Sequence, residues 1–156
     1  PAYRAAGMQQ LVDAVRSTGA RQPLMLGGLS WSLDLSGWVT HVPHDPDHQL
    51  LASEHNYGGL APCMSGCQAA ILATHRHYPV VIGELGETDC AHGYLDAMLP
   101  FADAHRISYL GWAWDAGQYW TCRGGPSLIE NYAGVPTGFG VGFRDHLLAL
   151  GVPFRP

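Results

Sequence analysis

Residues 79–87 read Pro-Val-Val-Ile-Gly-Glu-Leu-Gly-Glu, and this stretch decides the fold class. The run Val80-Val81-Ile82-Gly83 is short, apolar and rich in β-branched residues, which is typical of a strand in the interior of a parallel sheet. Tyr78 precedes Pro79, and helical backbone is disfavoured before a proline, so the upstream helix should end there. The stretch therefore predicts a buried strand that follows a helix and carries Glu84 directly after its apolar run.

The segments on either side alternate between helical and strand patterns. Pro100 lies within one of the helical patterns and should kink or divide that helix, because proline removes a backbone donor. The predicted segments are an amphipathic helix over 4–18, a strand over 23–28 buried on both faces, a loop over 29–47, a helical turn from Leu50 leading into a short strand over 53–57, a helix over 68–77, a helix from Tyr94 to Ala102, a strand over 107–112 and a closing helix from Phe143 to Leu150. Such alternation implies a parallel sheet with right-handed crossovers, either an open flavodoxin-like sheet or part of a (β/α) barrel.

Composition narrows the class of protein. The chain has 156 residues, 47% hydrophobic, which predicts one domain over 1–156. The net charge is −5 with no clustered basic stretch, so we expect no nucleic-acid partner. No apolar run approaches the roughly 20 residues that span a bilayer, so we expect no membrane partner. No phosphate-binding glycine motif or zinc-ligand spacing occurs, so neither cofactor nor metal is predicted.

Four cysteines are present, at positions 63, 67, 90 and 122. Each lies in a stretch rich in Gly, Pro or Ser that is typical of a surface loop, where a free thiol would be oxidised. We therefore expect disulfides and a secreted protein. Pairing of Cys63 with Cys67 and of Cys90 with Cys122 is preferred, although four cysteines allow three connectivities.

Polar and aromatic residues stand at the carboxyl end of every predicted strand. These residues are Trp31, His55, Tyr57, Glu84, Trp112 and Trp114. In a (β/α) barrel the carboxyl ends of the strands form one face, and active sites assemble there. The five Trp and seven Tyr also exceed what the packing of a small core usually requires. The pattern favours a barrel with an aromatic-lined site.

Three of these segments resemble strands of family 5 glycoside hydrolases, the cellulase-like (β/α)₈ enzymes. Residues 79–87 resemble the seventh strand, whose terminal nucleophilic Glu matches Glu84. Residues 53–57, Ser-Glu-His-Asn-Tyr, resemble the H-x-Y signature of the sixth strand. Residues 109–114 resemble the eighth strand, which presents a sugar-stacking Trp. The resemblance implies an α/β fold with a parallel-sheet half-barrel corresponding to strands 5 to 8 of a (β/α)₈ TIM barrel.

The resemblance also implies a function. It predicts hydrolysis of a β-linked glucan or related oligosaccharide by the retaining route, with Glu84 as nucleophile and with His55 and Tyr57 orienting it. The eighth-strand Trp aligns with Trp114, and Trp112 is the alternative. Flat faces for sugar rings would come from four tryptophans, Trp31, Trp112, Trp114 and Trp120.

Two departures from the family pattern qualify this interpretation. The chain has no Asn-Glu pair, which in the family carries the acid/base Glu at the fourth strand. The first four strands of the barrel have no counterpart either. We therefore expect two unpaired sheet edges and an apolar inner wall that another part must cover. Either the chain is a fragment of a longer barrel, or a second copy in a homodimer or a complementary half-barrel chain covers them.

The residues leave other readings open. The chain could be a non-catalytic carbohydrate-binding or scaffold half-barrel. Glu84 could instead cap the next helix, since acids favour helix N-termini. We expect that capping position for Glu87 and Asp89, and a packing position for Trp38.

Overall fold

The computed structural model describes residues 5–59, 67–116 and 125–151. Its elements are α1 (Met8–Ser17), β1 (Leu24–Gly27), α2 (Leu29–Ser32), β2 (Leu50–Gly58), α3 (Cys67–His75), β3 (Val80–Glu87), α4 (Gly93–Ala104), β4 (Ser108–Gly111) and α5 (Gly138–Ala149). The four strands form one sheet in the order β1-β2-β3-β4, and every pairing is parallel. The predicted alternation of helices with a parallel sheet is confirmed.

One face of the sheet carries the hydrophobic core. Leu26, Ile82 and Leu85 from the strands are buried there with apolar residues of the helices. On the other face Met25 is 48% exposed and Leu110 is 53% exposed. The prediction that the strand over 23–28 is buried on both faces is therefore wrong. Its alternate residues face opposite sides of the sheet, and only one side is covered among the described residues.

The segment before the second strand also differs from its prediction. β2 begins as a strand at Leu50, without the expected helical turn, because Leu50 already pairs with Leu24 and the ladder continues to Gly58. Within the predicted loop over 29–47, the short element α2 is a single turn in which Ser30 and Trp31 have left-handed backbone, so it is not a regular α-helix. No helix among the described residues has the length and apolar character needed to cross a membrane.

Pro100 neither kinks nor divides α4, contrary to the prediction. The helix continues from Gly93 to Ala104 with Pro100 inside it. Asp96, whose carbonyl loses its intrahelical partner, is exposed like Pro100, so water can satisfy that carbonyl. Burial of Leu95 and Leu99 in the core holds the helix together across this missing bond.

A β-bulge in β3 sets the direction of Glu84. Glu54 of β2 pairs with Ile82, whereas the next residue, His55, pairs with Glu84, so Gly83 is the extra residue. The extra residue reverses the alternation, and Glu84 shares a face with His55 although Ile82 lies in the core on the other face. A Cβ on Gly83 would lie 2.3 Å from Ser53 Oγ, which explains the glycine at the bulge.

Thr137 fixes the start of α5. Its Oγ1 accepts a hydrogen bond from the Gly140 N–H at 3.0 Å and donates one to the Ser127 carbonyl at 2.6 Å. We expect Thr137→Ala to lower the free energy of unfolding by about 1–3 kcal/mol, because it removes the cap and leaves buried groups unpaired. Thr137→Ser keeps the hydroxyl and should recover most of that loss in urea denaturation. Equal losses for the two variants would show that the methyl group matters instead.

Candidate active site

Glu84 contacts both of its predicted partners, His55 and Tyr57, near the carboxyl ends of β2 and β3. The Tyr57 hydroxyl donates a hydrogen bond to Glu84 Oε2, and His55 Nδ1 lies 3.3 Å from the same oxygen. The side chains of His55 and Glu84 are 24% and 21% exposed. Tyr57 and His55 thus hold the Glu84 carboxylate, which remains accessible to solvent. A group that reacts with a substrate needs this accessibility.

Tyr57 is suited to act as a hydrogen-bond donor to this carboxylate. Burial raises the pKa of the Tyr57 phenol, and its hydrogen bond to the negatively charged Glu84 raises that pKa further. The phenol therefore keeps its proton throughout the neutral pH range. The hydrogen bond that Tyr57 donates holds the Glu84 carboxylate in a defined orientation.

Gly86 makes room for the Tyr57 ring. Tyr57 pairs with Gly86 across the β2–β3 ladder, and a Cβ on Gly86 would lie 2.6 Å from Tyr57 Cε1 and 3.0 Å from Pro126 Cβ. The ring can reach Glu84 only because this position has no side chain. Two glycines of β3 therefore shape this site. Gly83 at the bulge sets the direction of Glu84, and Gly86 leaves the space that the Tyr57 ring occupies.

We expect Gly86→Ala to displace the Tyr57 ring and break its hydrogen bond to Glu84. Overpacking of this kind lowers the free energy of unfolding by about 1–3 kcal/mol, which chemical denaturation measures. Gly93→Ala is the matched control, because a Cβ there meets nothing within 4 Å and lies in the exposed first turn of α4. A Gly86→Ala variant as stable as Gly93→Ala would contradict the packing argument.

A buried polar network lies on the opposite face of the same strands. Asn56 Nδ2 donates to both carboxyl oxygens of Glu54 at 3.2 Å, and the Tyr94 hydroxyl donates to Asn56 Oδ1. Glu54 is 2% exposed and Asn56 is fully buried. Burial raises the pKa of Glu54 to about 8, and the hydrogen bond from Asn56 only partly offsets this. Glu54 is therefore largely protonated at neutral pH.

Glu87 connects that network to α4. It accepts hydrogen bonds from the backbone N–H groups of Tyr94 at 3.0 Å and Leu95 at 3.3 Å, in the first turn of the helix. The prediction that Glu87 stands at the start of the next helix is confirmed. This position leaves Glu84 on the other face of the strand, directed toward Tyr57 and His55. Glu54 and Asn56 were not predicted to be buried, because polar residues that alternate with His and Tyr carry no sequence pattern that marks them as buried.

Two tryptophans follow β4 at the same end of the sheet. Trp112 is 39% exposed. Its backbone N–H donates to the carbonyl of Leu85, the residue after Glu84 in β3, at 2.9 Å. Trp114 is 61% exposed and lies two residues further along. Trp120 lies outside the described residues. Trp38 is 9% exposed and donates its indole N–H to the Leu26 carbonyl, which confirms its packing position.

The cysteines and candidate metal ligands add little to this site. Cys67 begins α3 and is buried, so its placement in a surface loop was wrong. Neither Cys67 nor Cys90 is a free thiol. Cys63 and Cys122 lie outside the described residues, so the pairing stays a prediction. Within ranges 5–59, 67–116 and 125–151, no group of three metal-ligating side chains is found.

A partly buried carboxylate, held by Tyr57 and His55, thus lies near the carboxyl end of a parallel sheet, and two tryptophans follow the neighbouring strand. The Cellulase family (glycosyl hydrolase family 5) matches the chain over residues 5–118. This chain belongs to glycosyl hydrolase family 5. The predicted resemblance and the predicted parallel α/β fold are both confirmed.

Individual relatives include glucanases and mannanases. A mannan endo-1,4-beta-mannosidase of Streptomyces lividans is 26% identical over 109 residues, which are 66% of this chain and 28% of that protein. A beta-glucanase of Saccharophagus degradans, solved with cellotetraose, superimposes with a TM-score of 0.68 at 18% identity, over 91% of this chain and 46% of that one. A beta-mannanase of Streptomyces thermolilacinus, solved with mannohexaose, gives a TM-score of 0.67 at 21% identity, over 94% and 50%. The chain thus spans about half of each solved structure and less of the curated relative.

Proposed function

We propose that this chain carries the nucleophile half of a retaining glycoside hydrolase that acts on β-1,4-linked glucan. The contact between Glu84 and Tyr57 supports this proposal most directly. A retaining enzyme needs an ionised carboxylate that attacks the anomeric carbon, and Glu84 is held ready for that attack at an accessible strand end. Membership of family 5 supports the glycosidase part of this proposal.

The roles of the neighbouring groups follow from the contacts. Tyr57 acts as a hydrogen-bond donor to Glu84 and does not transfer its proton to the substrate, because its raised pKa keeps the phenol protonated. His55 limits the rotation of the Glu84 carboxylate from the other strand. Trp112 and Trp114 offer the apolar ring faces on which a pyranose can stack.

We propose that the second carboxyl group comes from outside these 156 residues. Retaining glycosidases place two carboxyl groups about 5–5.5 Å apart, one as nucleophile and one as acid/base. The chain contains no Asn-Glu pair to supply the acid/base residue. General acid catalysis is worth about 10²–10⁴-fold in rate, so the chain by itself should hydrolyse glycans weakly or not at all.

We propose that a second half-barrel completes the site, either another copy of this chain or a complementary chain. β1 and β4 end the described sheet, and Met25 and Leu110 expose apolar surface on its uncovered face. Open edges and apolar faces of this kind favour association. Sedimentation of the chain by itself tests the homodimer. A chain that stays monomeric at all concentrations would contradict the homodimer.

Mannan is the second candidate substrate, favoured by the mannosidase of Streptomyces lividans and its 26% identity. Carbohydrate binding without hydrolysis is the alternative function, favoured by the missing acid/base residue. Release of reducing sugar from β-1,4-glucan and from β-1,4-mannan, measured beside binding of the two polymers, separates the three. Binding without release would support the non-catalytic function, and no binding of either polymer would overturn the proposal.

We also propose that the protein is secreted, with disulfides joining Cys63 to Cys67 and Cys90 to Cys122. The absence of a free thiol at Cys67 and Cys90 supports this proposal. Peptide mapping of the non-reduced protein tests the pairing. Cross-linked peptides that join Cys67 to any cysteine other than Cys63 would contradict it.

A further inference from the structure

Tyr94 joins the ends of β2 and β3 from the side of the sheet opposite Glu84. Its backbone N–H donates to Glu87 Oε1 at 3.0 Å, and Glu87 is the last residue of β3. Its hydroxyl donates to Asn56 Oδ1 in β2. The first turn of α4 is therefore attached to both strands whose side chains form the candidate site.

The side-chain contacts of Tyr94 fall on the two residues that flank Tyr57 in β2. Asn56, on one side, accepts the hydrogen bond from the Tyr94 hydroxyl. At Gly58, on the other side, a Cβ would lie 2.9 Å from Tyr94 Cβ and Cγ, so Tyr94 packs closely against the backbone of Gly58. Successive residues of a strand face opposite sides of the sheet. Tyr94 therefore holds Asn56 and Gly58 from the helix side, while Tyr57 points to Glu84 on the other side.

Both ends of this link are fixed. Asn56 is fully buried, and its Nδ2 donates to Glu54 Oε1 at 3.2 Å, which sets the orientation of the amide. Burial raises the pKa of the Tyr94 phenol, so the hydroxyl stays a donor throughout the neutral pH range. Glu87, which holds the backbone of Tyr94, is itself buried. These contacts restrict the backbone of residues 56–58.

The hydrogen bond between Tyr57 and Glu84 depends on that backbone. The Tyr57 hydroxyl reaches Glu84 Oε2 at the far end of a long side chain, so a tilt of the backbone is magnified at the hydroxyl. A hydrogen bond weakens steeply once its distance or angle departs from the optimum. A small shift of residues 56–58 is therefore enough to detach the hydroxyl from the carboxylate.

From these contacts we infer that Tyr94 is a positioning residue, which keeps the Tyr57 hydroxyl on Glu84 by holding both chain neighbours of Tyr57. The importance of this positioning for catalysis rests on the proposed function, whereas the positioning itself does not require hydrolysis. A helix on the back of the sheet thus controls the geometry of the candidate nucleophile on its front.

Carbon-13 NMR of the full chain with labelled tyrosine tests the positioning. The Cζ resonance of Tyr57, assigned by its loss in Tyr57→Phe, reports the hydrogen bond to Glu84, and Glu84→Ala gives the position of that resonance without the bond. We expect Tyr94→Phe, which keeps the ring and loses the hydroxyl, to move the Tyr57 resonance toward its position in Glu84→Ala. Gly58→Ala should move it as well, since the added Cβ meets Tyr94. Leu99→Ala, at a core residue in a later turn of α4, is the matched control and should leave the resonance in place.

A double-mutant cycle tests the consequence for hydrolysis, in whichever assembly cleaves glucan or mannan. Tyr94→Phe should lower kcat about tenfold and leave KM unchanged, because displaced catalytic groups cost up to about 10²-fold in rate. In the Tyr57→Phe background the same substitution should cause no further loss, since the effects of two residues that act through one contact are not additive.

The outcomes separate this inference from the proposed function. An unmoved Tyr57 resonance in Tyr94→Phe, an equal movement in Leu99→Ala, or equal losses of kcat in the two backgrounds would overturn the inference and leave the proposed function standing. A resonance that moves as expected, in a protein that cleaves neither polymer in any assembly, would support the positioning and overturn the proposed function.

Discussion

Glu84→Gln should abolish the release of reducing sugar while the protein stays folded. The substitution removes the carboxylate that attacks the anomeric carbon but keeps an oxygen that can accept the Tyr57 hydrogen bond. Loss of a catalytic nucleophile costs enzymes of comparable design about 10⁴-fold or more in turnover. We therefore expect activity to fall below detection, measured with the chain in whichever assembly hydrolyses glucan or mannan.

Two controls make this expectation specific. Asp145→Asn neutralises an exposed carboxylate on α5 and should leave the rate unchanged. Tyr57→Phe removes the donor to Glu84 and should lower the rate less than Glu84→Gln does, because the carboxylate remains. Glu84→Gln with the rate of wild-type protein would show that Glu84 is not the nucleophile, whatever holds it in place.

The free energy of unfolding should fall as the pH rises through the neutral range. Glu54 has a pKa of about 8 in the folded protein against an ordinary value of 4.5. Between these values the folded state holds more protons than the unfolded state, so raising the pH favours unfolding. Stability from this group is fully present below about pH 4.5, decreases up to about pH 8 and is constant above that. The expected loss is roughly 3–5 kcal/mol.

Glu54→Gln isolates this effect, because glutamine keeps an acceptor for Asn56 and carries no charge at any pH. Urea denaturation at several pH values should show a much smaller decrease for the variant than for the wild type. A residual slope is expected, since the hydrogen bond with Asp96 raises the pKa of His92, and a raised histidine pKa also makes stability fall as the pH rises. Identical slopes for the two proteins would mean that Glu54 is ionised and paired in the folded state.

The sequence predicts the parts of this structure that repeat a simple pattern. The apolar run at Val80 and the helix at Met8 were recognisable from the spacing of their apolar residues. In the helix only Val12 of that stripe is buried, whereas Met8 and Leu11 are exposed. The candidate site was recognisable because Glu84, His55 and Tyr57 stand at strand ends within motifs that a known family shares. Their contacts in the structure agree with that reading, whereas their catalytic roles are still predictions.

Other features depend on interactions between distant segments and left no local pattern. The continuity of α4 through Pro100 depends on core packing of Leu95 and Leu99. The burial of Glu54 depends on Asn56 and on the approach of α4. The exposure of Met25 depends on which side of the sheet carries helices. Residue propensity and hydrophobic periodicity cannot predict these three features, because tertiary contacts determine each of them.

The bulge at Gly83 bears on any attempt to transplant this site into another protein. In a regular strand Glu84 would lie on the same face as Ile82, two residues earlier, because side chains alternate between the two faces. A graft of Glu84 onto a regular strand would therefore point the carboxylate at the helices. The portable unit is therefore the pair of Gly83 and Glu84, together with the Ser53 position that Gly83 faces and the Gly86 position that the Tyr57 ring covers. Grafts without the two glycines would carry the right functional group in the wrong place.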